Sequence, residues 1–399
     1  MSERVAIVGV GESRAASERP EVSQNELANE AVRAALQSAD LTIKDVDAVV
    51  LANAEILEGT FFTDQWLVEG CGSYLKSGMK VNSAGTTGHT GFTTAWSHVA
   101  SGVFDTVLLV AYQKMDEPMV GGQGIRGGDV LFDAGGGSGA ALISMWAGAW
   151  TLTREGVASE EFAARVRVKE LECGSRNPNA HLRKPFTVEE IMNSPELMPP
   201  LRLFHCCPTT VGSAALVLAC EKKAKKTTNK PVWVRDHVTV HGAMTPRMAP
   251  PLFLAAGSCD PLGPAWGWSL EKAATEIYKR NGITNPRKEL DVIETYSPSV
   301  WQEILYYGSL HLCEKGEQEK FFDEGATRPD GEIPVEPSGG VPCTNPIAAS
   351  GLLRVCEVAL QIRGEAGEHQ ISNPNVNLGL THAQGGDRYS VVTLLSKSL

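Results

Sequence analysis

Five side chains stand where they could move a proton, hold a developing charge or attack a carbonyl. His382 precedes the glycine pair Gly385-Gly386, and an imidazole with an ordinary pKa of about 6.5 accepts and returns protons near neutrality. Tyr296 ends the apolar run DVIETY. A phenol of ordinary pKa about 10 donates a hydrogen bond, and takes a proton if its neighbours depress that pKa. Asn345, before Pro346, can donate to an oxyanion but shuttles no proton near neutral pH. Cys343 is a potential thiol nucleophile, although a buried inert cysteine is the commoner outcome. His89 falls one turn into an expected helix, where packing competes with catalysis as its role. His89 lies more than 200 residues before the other four, so only the fold can assemble them.

Other chemistries are excluded early. The nine cysteines are odd in number and form no CxxC pair, which argues against a disulfide framework and a self-contained zinc ribbon. Reduced thiols in a cytoplasm fit best. His205-Cys206-Cys207 resembles a metal cluster to the eye, but adjacent cysteines seldom ligate one ion together, so no metal site is expected. The runs GGQGIRGG (121–128) and FDAGGGSG (132–139) lack the strand–turn–helix order of a nucleotide-binding loop. KKAKKTTNK (222–230) reads as a solvated turn. With 36 Lys+Arg against 47 Asp+Glu, the 399-residue chain repels phosphate backbones, and nucleic acid is not an expected partner. No window approaches 18 uninterrupted apolar residues, so no membrane span is expected either.

The positioning elements follow from periodicity. Residues 5–10, 47–51 and 105–111 are short apolar runs of strand type, and 26–36 places Leu27, Ala31, Ala34 and Ala35 on one helical face. Helices alternating with buried strands predict a largely parallel α/β sheet. AVRAALQSADLTIKDVDAVV (31–50) is echoed by AATEIYKRNGITNPRKELDVI (273–293), and the segment from Gly85 by the segment from Gly351. Two duplicated units about 240 residues apart are therefore expected. The predicted division is a first half over 1–114 and 215–255, a loop domain inserted over 115–214, and a second half over 256–399. Residues 327–337 read as a further excursion.

Six segments give the chain a family resemblance. They are VAIVGVGES (5–13), VASGVFDTVLLVAYQKM (99–115), RNPNAHLRKPFTVEEIMNSPELMPPLRL (176–203), DVIETYSPSVWQEI (291–304), PSGGVPCTNPIAASG (337–351) and HAQGGDRYSVVTLL (382–395). In this order and spacing they resemble the thiolase superfamily, in its branch related to the thiolase domain of sterol carrier protein x. The resemblance implies an α/β fold of two duplicated halves in five α-β-α-β-α layers, with an inserted loop domain and a homodimeric core. It also implies a coenzyme A thioester as substrate with no permanently bound cofactor. Relatives lacking the standard residues often work with a small zinc-ribbon/OB-fold protein, and such a partner is expected by resemblance.

The departures from that pattern shape the expected chemistry. The turn that carries the family's nucleophilic cysteine is VNSAGTTGHTGF (81–92), with Gly85 at the cysteine's position. Tyr296 and Asn345 stand on two histidine positions, and His382 survives. The chain is similar to thiolase-like steroid side-chain aldolases, which also lack that cysteine and use tyrosines. Gly85 is expected to leave room for a bulky acyl chain, with the backbone N–H groups of Gly85 and Thr86 facing the substrate. Tyr296 and His382 are the expected proton-handling residues, Asn345 the oxyanion donor, and His89 and Cys343 further pocket residues. The leading expectation is retro-aldol cleavage of a bulky acyl-CoA. The alternatives are thiolytic acyl transfer, with the nucleophile supplied by CoA or Cys343, and a catalytically silent subunit supporting an active relative.

Overall fold

The computed structural model describes residues 3–58, 60–116, 138–241, 268–385 and 389–399. The apolar runs form strands: β1 (Val5–Glu12), β2 (Ala48–Ala52), β3 (Ser77–Val81), β4 (Thr106–Gln113), β5 (Gly212–Cys220), β6 (Val232–His241), β7 (Val292–Glu294), β8 (Leu378–Gln384) and β9 (Tyr389–Ser396). The longer helices are α1 (Gln24–Ser38), α2 (Thr87–Ala100), α3 (Ser138–Arg154), α4 (Glu160–Arg176), α5 (Trp268–Asn281), α6 (Val300–Ser309) and α7 (Ile347–Arg363).

The duplication is visible in strand order. The sheet runs β3-β2-β4-β5-β1-β6-β9-β8-β7. In the first half β2 and β4 are parallel, while β4–β5 and β5–β1 are antiparallel. In the second, β7 and β8 are parallel, while β8–β9 and β9–β6 are antiparallel. The order β2-β4-β5-β1 is thus repeated as β7-β8-β9-β6. The halves join where β1 meets β6 through Ala6↔Trp233 and Ile7↔Val232.

These pairings correct two expected boundaries. β6 is the counterpart of β1, so the second half begins before Val232 rather than at residue 256, a position outside the described residues. Residues 327–337 are no free excursion: Ile293 N–H donates to Pro334 O at 3.0 Å and Glu336 N–H to Ile293 O at 2.8 Å. Val335 therefore sits beside β7 as β3 sits beside β2.

Apolar faces set the layers. Leu27, Ala31 and Ala35 of α1 cover one face of the first half through Val8, Leu51 and Val217. Phe92 and Val99 of α2 pack with Leu352, Val355 and Ala359 of α7 in the middle, against Ile7, Val50 and Leu216. Ala273 and Ile277 of α5 cover the second half over Ile293, Leu380 and Leu394. This is the five-layer arrangement. Ser23 begins α1 with a reciprocal capping box to Glu26, a device contributing about 1 kcal/mol.

Between β4 and β5 the insertion folds onto the second half. Phe162, Ala163 and Val166 of α4 pack against Val300, Trp301 and Ile304 of α6. The run 121–128 lies outside the described residues, as does most of 132–139. No helix among the described residues is long and apolar enough to cross a membrane.

The two middle helices touch through glycine. A Cβ on Gly88 would lie 2.7 Å from Ala348 O and 2.8 Å from Leu352 N, both backbone atoms of α7. Gly351 lies within α7, not at a turn as its echo of Gly85 implies, and its Cβ would lie 3.1 Å from His89 N. Alanine normally gains up to about 1 kcal/mol over glycine inside a helix. Gly88→Ala should instead lose about 1–3 kcal/mol by forced separation of the helices, read as an earlier midpoint in urea unfolding.

Candidate active site

The loop leaving β7 carries Tyr296 into the interface between the halves. Ser299 caps α6 with a box to Gln302, and the hydroxyls of Thr295 and Ser297 both donate to Glu336 Oε1. Tyr296 is held from both flanks and is only 4% exposed. Its hydroxyl donates to Asn345 Oδ1 at 3.1 Å. That oxygen also accepts from Ser350 Oγ at 2.7 Å, and Asn345 N–H donates to Thr210 Oγ1 at 3.2 Å. Tyr296 and Asn345, singled out separately in the sequence, are therefore in direct contact.

Cys207 completes the cluster, and the sequence reading missed it. Asn345 Nδ2 donates to its Sγ at 3.0 Å, and it packs with Tyr296, Val341 and Ala383. The backbone explains the placement: Cys207 N–H donates to Pro298 O at 2.9 Å, and Cys206 bridges Ser299 like a short strand. Burial pushes the Cys207 thiol up to about 11, so it is a neutral thiol at neutral pH. Cys206 turns the other way, toward Arg202 O at 3.6 Å, and His205 Nδ1 accepts from Trp301. His205, Cys206 and Cys207 thus diverge instead of converging on an ion.

Gly85 has a role opposite to the expected one. A Cβ there would lie 2.5 Å from Gln384 O and 3.4 Å from Cζ and Oη of Tyr296. No acyl-sized space has been vacated; the phenol and the end of β8 fill it. The turn reaches α2 through Ala84, held at a left-handed φ of 52°. Thr86 N–H donates back to Ser83 O at 3.2 Å, as does its hydroxyl, so Thr86 is spent on the turn and is fully buried.

Three expected site residues point elsewhere. Along β8 successive side chains face opposite ways: Ala383 joins the Tyr296 cluster, and His382 faces away from it. Its ring stands edge-on to Tyr306 at 5.1 Å, and its Nε2 lies 3.4 Å from Ser390 Oγ. Burial lowers its pKa to about 3, so the ring is uncharged at neutral pH and is no imidazolium acid. The glycine after Gly385 lies outside the described residues. His89 is fully buried between α2 and β9, with Nε2 2.8 Å from Thr393 Oγ1. Burial also holds it well below the usual imidazole range. Cys343 points into the insertion, with Sγ 3.4 Å from Glu170 O among Ala164, Leu171 and Ile191; burial raises its pKa and keeps it inert.

Burial also pushes the Tyr296 phenol up, away from ionisation. The assembled groups are a neutral phenol, an amide and a neutral thiol. They can donate hydrogen bonds and exchange protons in concert, but they hold no standing charge.

Comparison with known proteins agrees with this fold. Residues 268–397 match the family described as Thiolase C-terminal domain-like. An acetyl-CoA acetyltransferase of Methanothermobacter thermautotrophicus is 28% identical over 392 residues, covering 96% of each chain. Human Sterol carrier protein 2 is 29% identical over 416 residues, covering 98% of this chain and 71% of that protein. Among solved structures, one described as an Ltp2-ChsH2(DUF35) aldolase superposes with a TM-score of 0.82 at 21% identity, covering 99% of this chain and 98% of that one.

Two outcomes test the site. Gly85→Cys should cost about 1–3 kcal/mol in a urea melt, and intact-mass analysis after incubation with acyl-CoA should find no acyl adduct on the new thiol. His382 and His205 both have folded pKa values lowered to about 3. A depressed histidine contributes stability above its ordinary pKa of about 6.5 and loses it as pH falls toward the folded value. Stability should therefore decline between about pH 6.5 and 3, and His382→Phe should soften that decline in denaturant melts across this range.

Proposed function

Because the chain is similar over nearly its whole length to an acetyl-CoA acetyltransferase and to Sterol carrier protein 2, we propose that it is a thiolase-superfamily protein of the sterol carrier protein-like branch that cleaves or forms a carbon–carbon bond in a bulky acyl-CoA by retro-aldol chemistry. The observation that carries this reading is the Tyr296 phenol lying where a side chain at position 85 would project. The structural neighbour described as an aldolase supports it.

The step balances with one hydroxyl. A β-hydroxyacyl thioester breaks its Cα–Cβ bond, the β-oxygen becomes a carbonyl, and the bonding pair moves into an enolate on the thioester. The β-hydroxyl proton must end on Cα. Tyr296 Oη takes that proton while delivering its own, so the tyrosine is neutral before and after. A phenol resistant to ionisation suits such an exchange better than it suits a standing base. The enolate oxygen needs a donor. Asn345 Nδ2 is now spent on sulfur, a weak acceptor, and a substrate oxygen can displace it. Binding of the non-reacting CoA portion would hold the thioester against this pair.

Cys207 favours a second reading. A thiol beside Tyr296 and Asn345 would serve acyl transfer to CoA, with the nucleophile relocated from position 85 to 207. Strict dependence on free CoA and a trapped acyl group on Cys207 would select it. Cleavage of a β-hydroxyacyl-CoA to an aldehyde or ketone without free CoA selects the aldolase. In that assay Tyr296→Phe should lower kcat about 10²–10⁴-fold, the range for losing a positioned acid–base group, and Cys207→Ser should retain most activity. Unchanged turnover in Tyr296→Phe would overturn the assignment.

We also propose a homodimer and a zinc-ribbon/OB-fold partner. The dimer is supported by β3, an edge strand of the sheet whose first three residues are exposed. It is flanked by Phe61, Phe62, Trp66, Tyr74 and Leu75, the last 87% exposed. Unpaired edges with apolar side chains are pairing templates. Leu75→Glu with Met79→Glu should shift the chain to monomer in sedimentation velocity. The partner is supported by the two-protein description of the aldolase neighbour.

A further inference from the structure

Behind Tyr296 lies a second group of ionisable residues that the reaction does not use. Glu336, which holds Thr295 and Ser297, meets Glu170 of α4 and Glu303 of α6. All three are fully buried, and one carboxylate oxygen from each lies within 4.8 Å of the others. Among the described residues no donor reaches Glu170 Oε1, Glu303 Oε2 or Glu336 Oε2. Three buried carboxyls this close, each with a bare oxygen, repel one another unless a proton sits among them.

The surrounding charges are countable. Arg167 Nη1 donates to Glu170 Oε2 at 3.1 Å. Lys169 Nζ donates to Glu303 Oε1, and to Val335 O at 2.9 Å. Tyr307 Oη donates to Glu303 Oε1. Burial keeps Tyr307, Cys173 and Cys343 neutral. At one remove, Glu294 is paired with Arg354, and Glu357 with His369. Three carboxylates facing two cations leave one negative charge uncompensated in a dry interior, which costs several kcal/mol. A divalent metal would overshoot to a net positive charge beside Lys169 and Arg167. One proton brings the sum to zero and supplies the missing donor.

We propose that Glu170, Glu303 and Glu336 share one trapped proton at neutral pH, and that this neutral cluster is a positioning device for Tyr296, acting through Thr295 and Ser297. Losing the proton would charge Glu336, draw its partners toward Lys169 and Arg167, and move the tyrosine loop. The link to turnover rests on the function proposed above; the proton does not.

The sign of the pH effect follows. Glu336 has its pKa raised to about 8 by burial and by Glu303. A carboxyl raised in the folded state stabilises below its ordinary value and loses that contribution as pH climbs through the folded one. Infrared difference spectra of the full chain against Glu170→Gln, in heavy water near neutral pH, should contain a protonated-carboxyl band; the difference cancels Glu12, whose pKa burial also raises to about 8. If that variant does not fold, Glu303→Gln is measured in its place. The wild-type Tm should fall between about pH 4.5 and 8 and level off above that, and the variant should show a smaller fall. An alkaline limb in the pH–rate profile of β-hydroxyacyl-CoA cleavage should move with the same substitution. Absence of the band, an unchanged Tm profile, or a stoichiometric metal ion by elemental analysis overturns the proposal. The infrared and melting readouts decide it even if that substrate is never turned over.

Discussion

The structure depends on how closely one backbone carbonyl and one ring crowd position 85. The carbonyl of Gln384 comes within 2.5 Å of where a Cβ would stand, and the Tyr296 ring closes the remaining side. A side chain there could be accommodated only by moving β8, and β8 is paired on both edges, to β7 and β9. The sheet register and the glycine are therefore one constraint. A cysteine there would clash with the Gln384 carbonyl and press against the Tyr296 ring, so the chain's departure at position 85 is built into its packing.

The duplicated fold explains why a site exists at that crowding. The halves repeat one strand order, and their middle helices α2 and α7 meet through Gly88 and Gly351. That contact brings the turn before α2, the loop after β7 and the start of α7 to one place. The insertion adds the third wall: by packing α4 on α6 it lays residues 206–207 beside Pro298 and Ser299. Cys207 thus reaches Asn345 across 138 residues of chain.

What the sequence disclosed follows this division. The apolar periodicities and the echo of 31–50 in 273–293 carried the α/β duplication, because burial on both faces of a sheet writes itself into local pattern. Tyr296 and Asn345 were legible because their flanking segments keep a recognisable order. His382 was misjudged by one residue: alternation along β8 sends Ala383 to the site and His382 into packing against Tyr306, and the register that decides this is set by β7 and β9. Cys343 failed similarly, since the short helix Gly340–Cys343 turns its sulfur toward α4. Nothing near Cys207 announces its contact with Asn345, because that contact is made by an insertion whose docking depends on tertiary packing. Gly85 was read as vacated space because a missing side chain says nothing about what moves in to replace it.

The electrostatic character of the site follows from the same crowding. A tight, dry environment penalises any standing charge, and the groups that remain are those able to act while neutral. Histidines one layer away are held deprotonated, the thiol and phenol are held protonated, and the nearest charged residues are confined to paired networks behind the loop. In such a site a thiolate would be costly to form and an imidazolium costly to keep. A reaction whose substrate both supplies and receives the transferred proton avoids those costs. That is why retro-aldol cleavage, with its proton moving from β-hydroxyl to Cα, suits these residues better than chemistry that must begin by ionising a nucleophile.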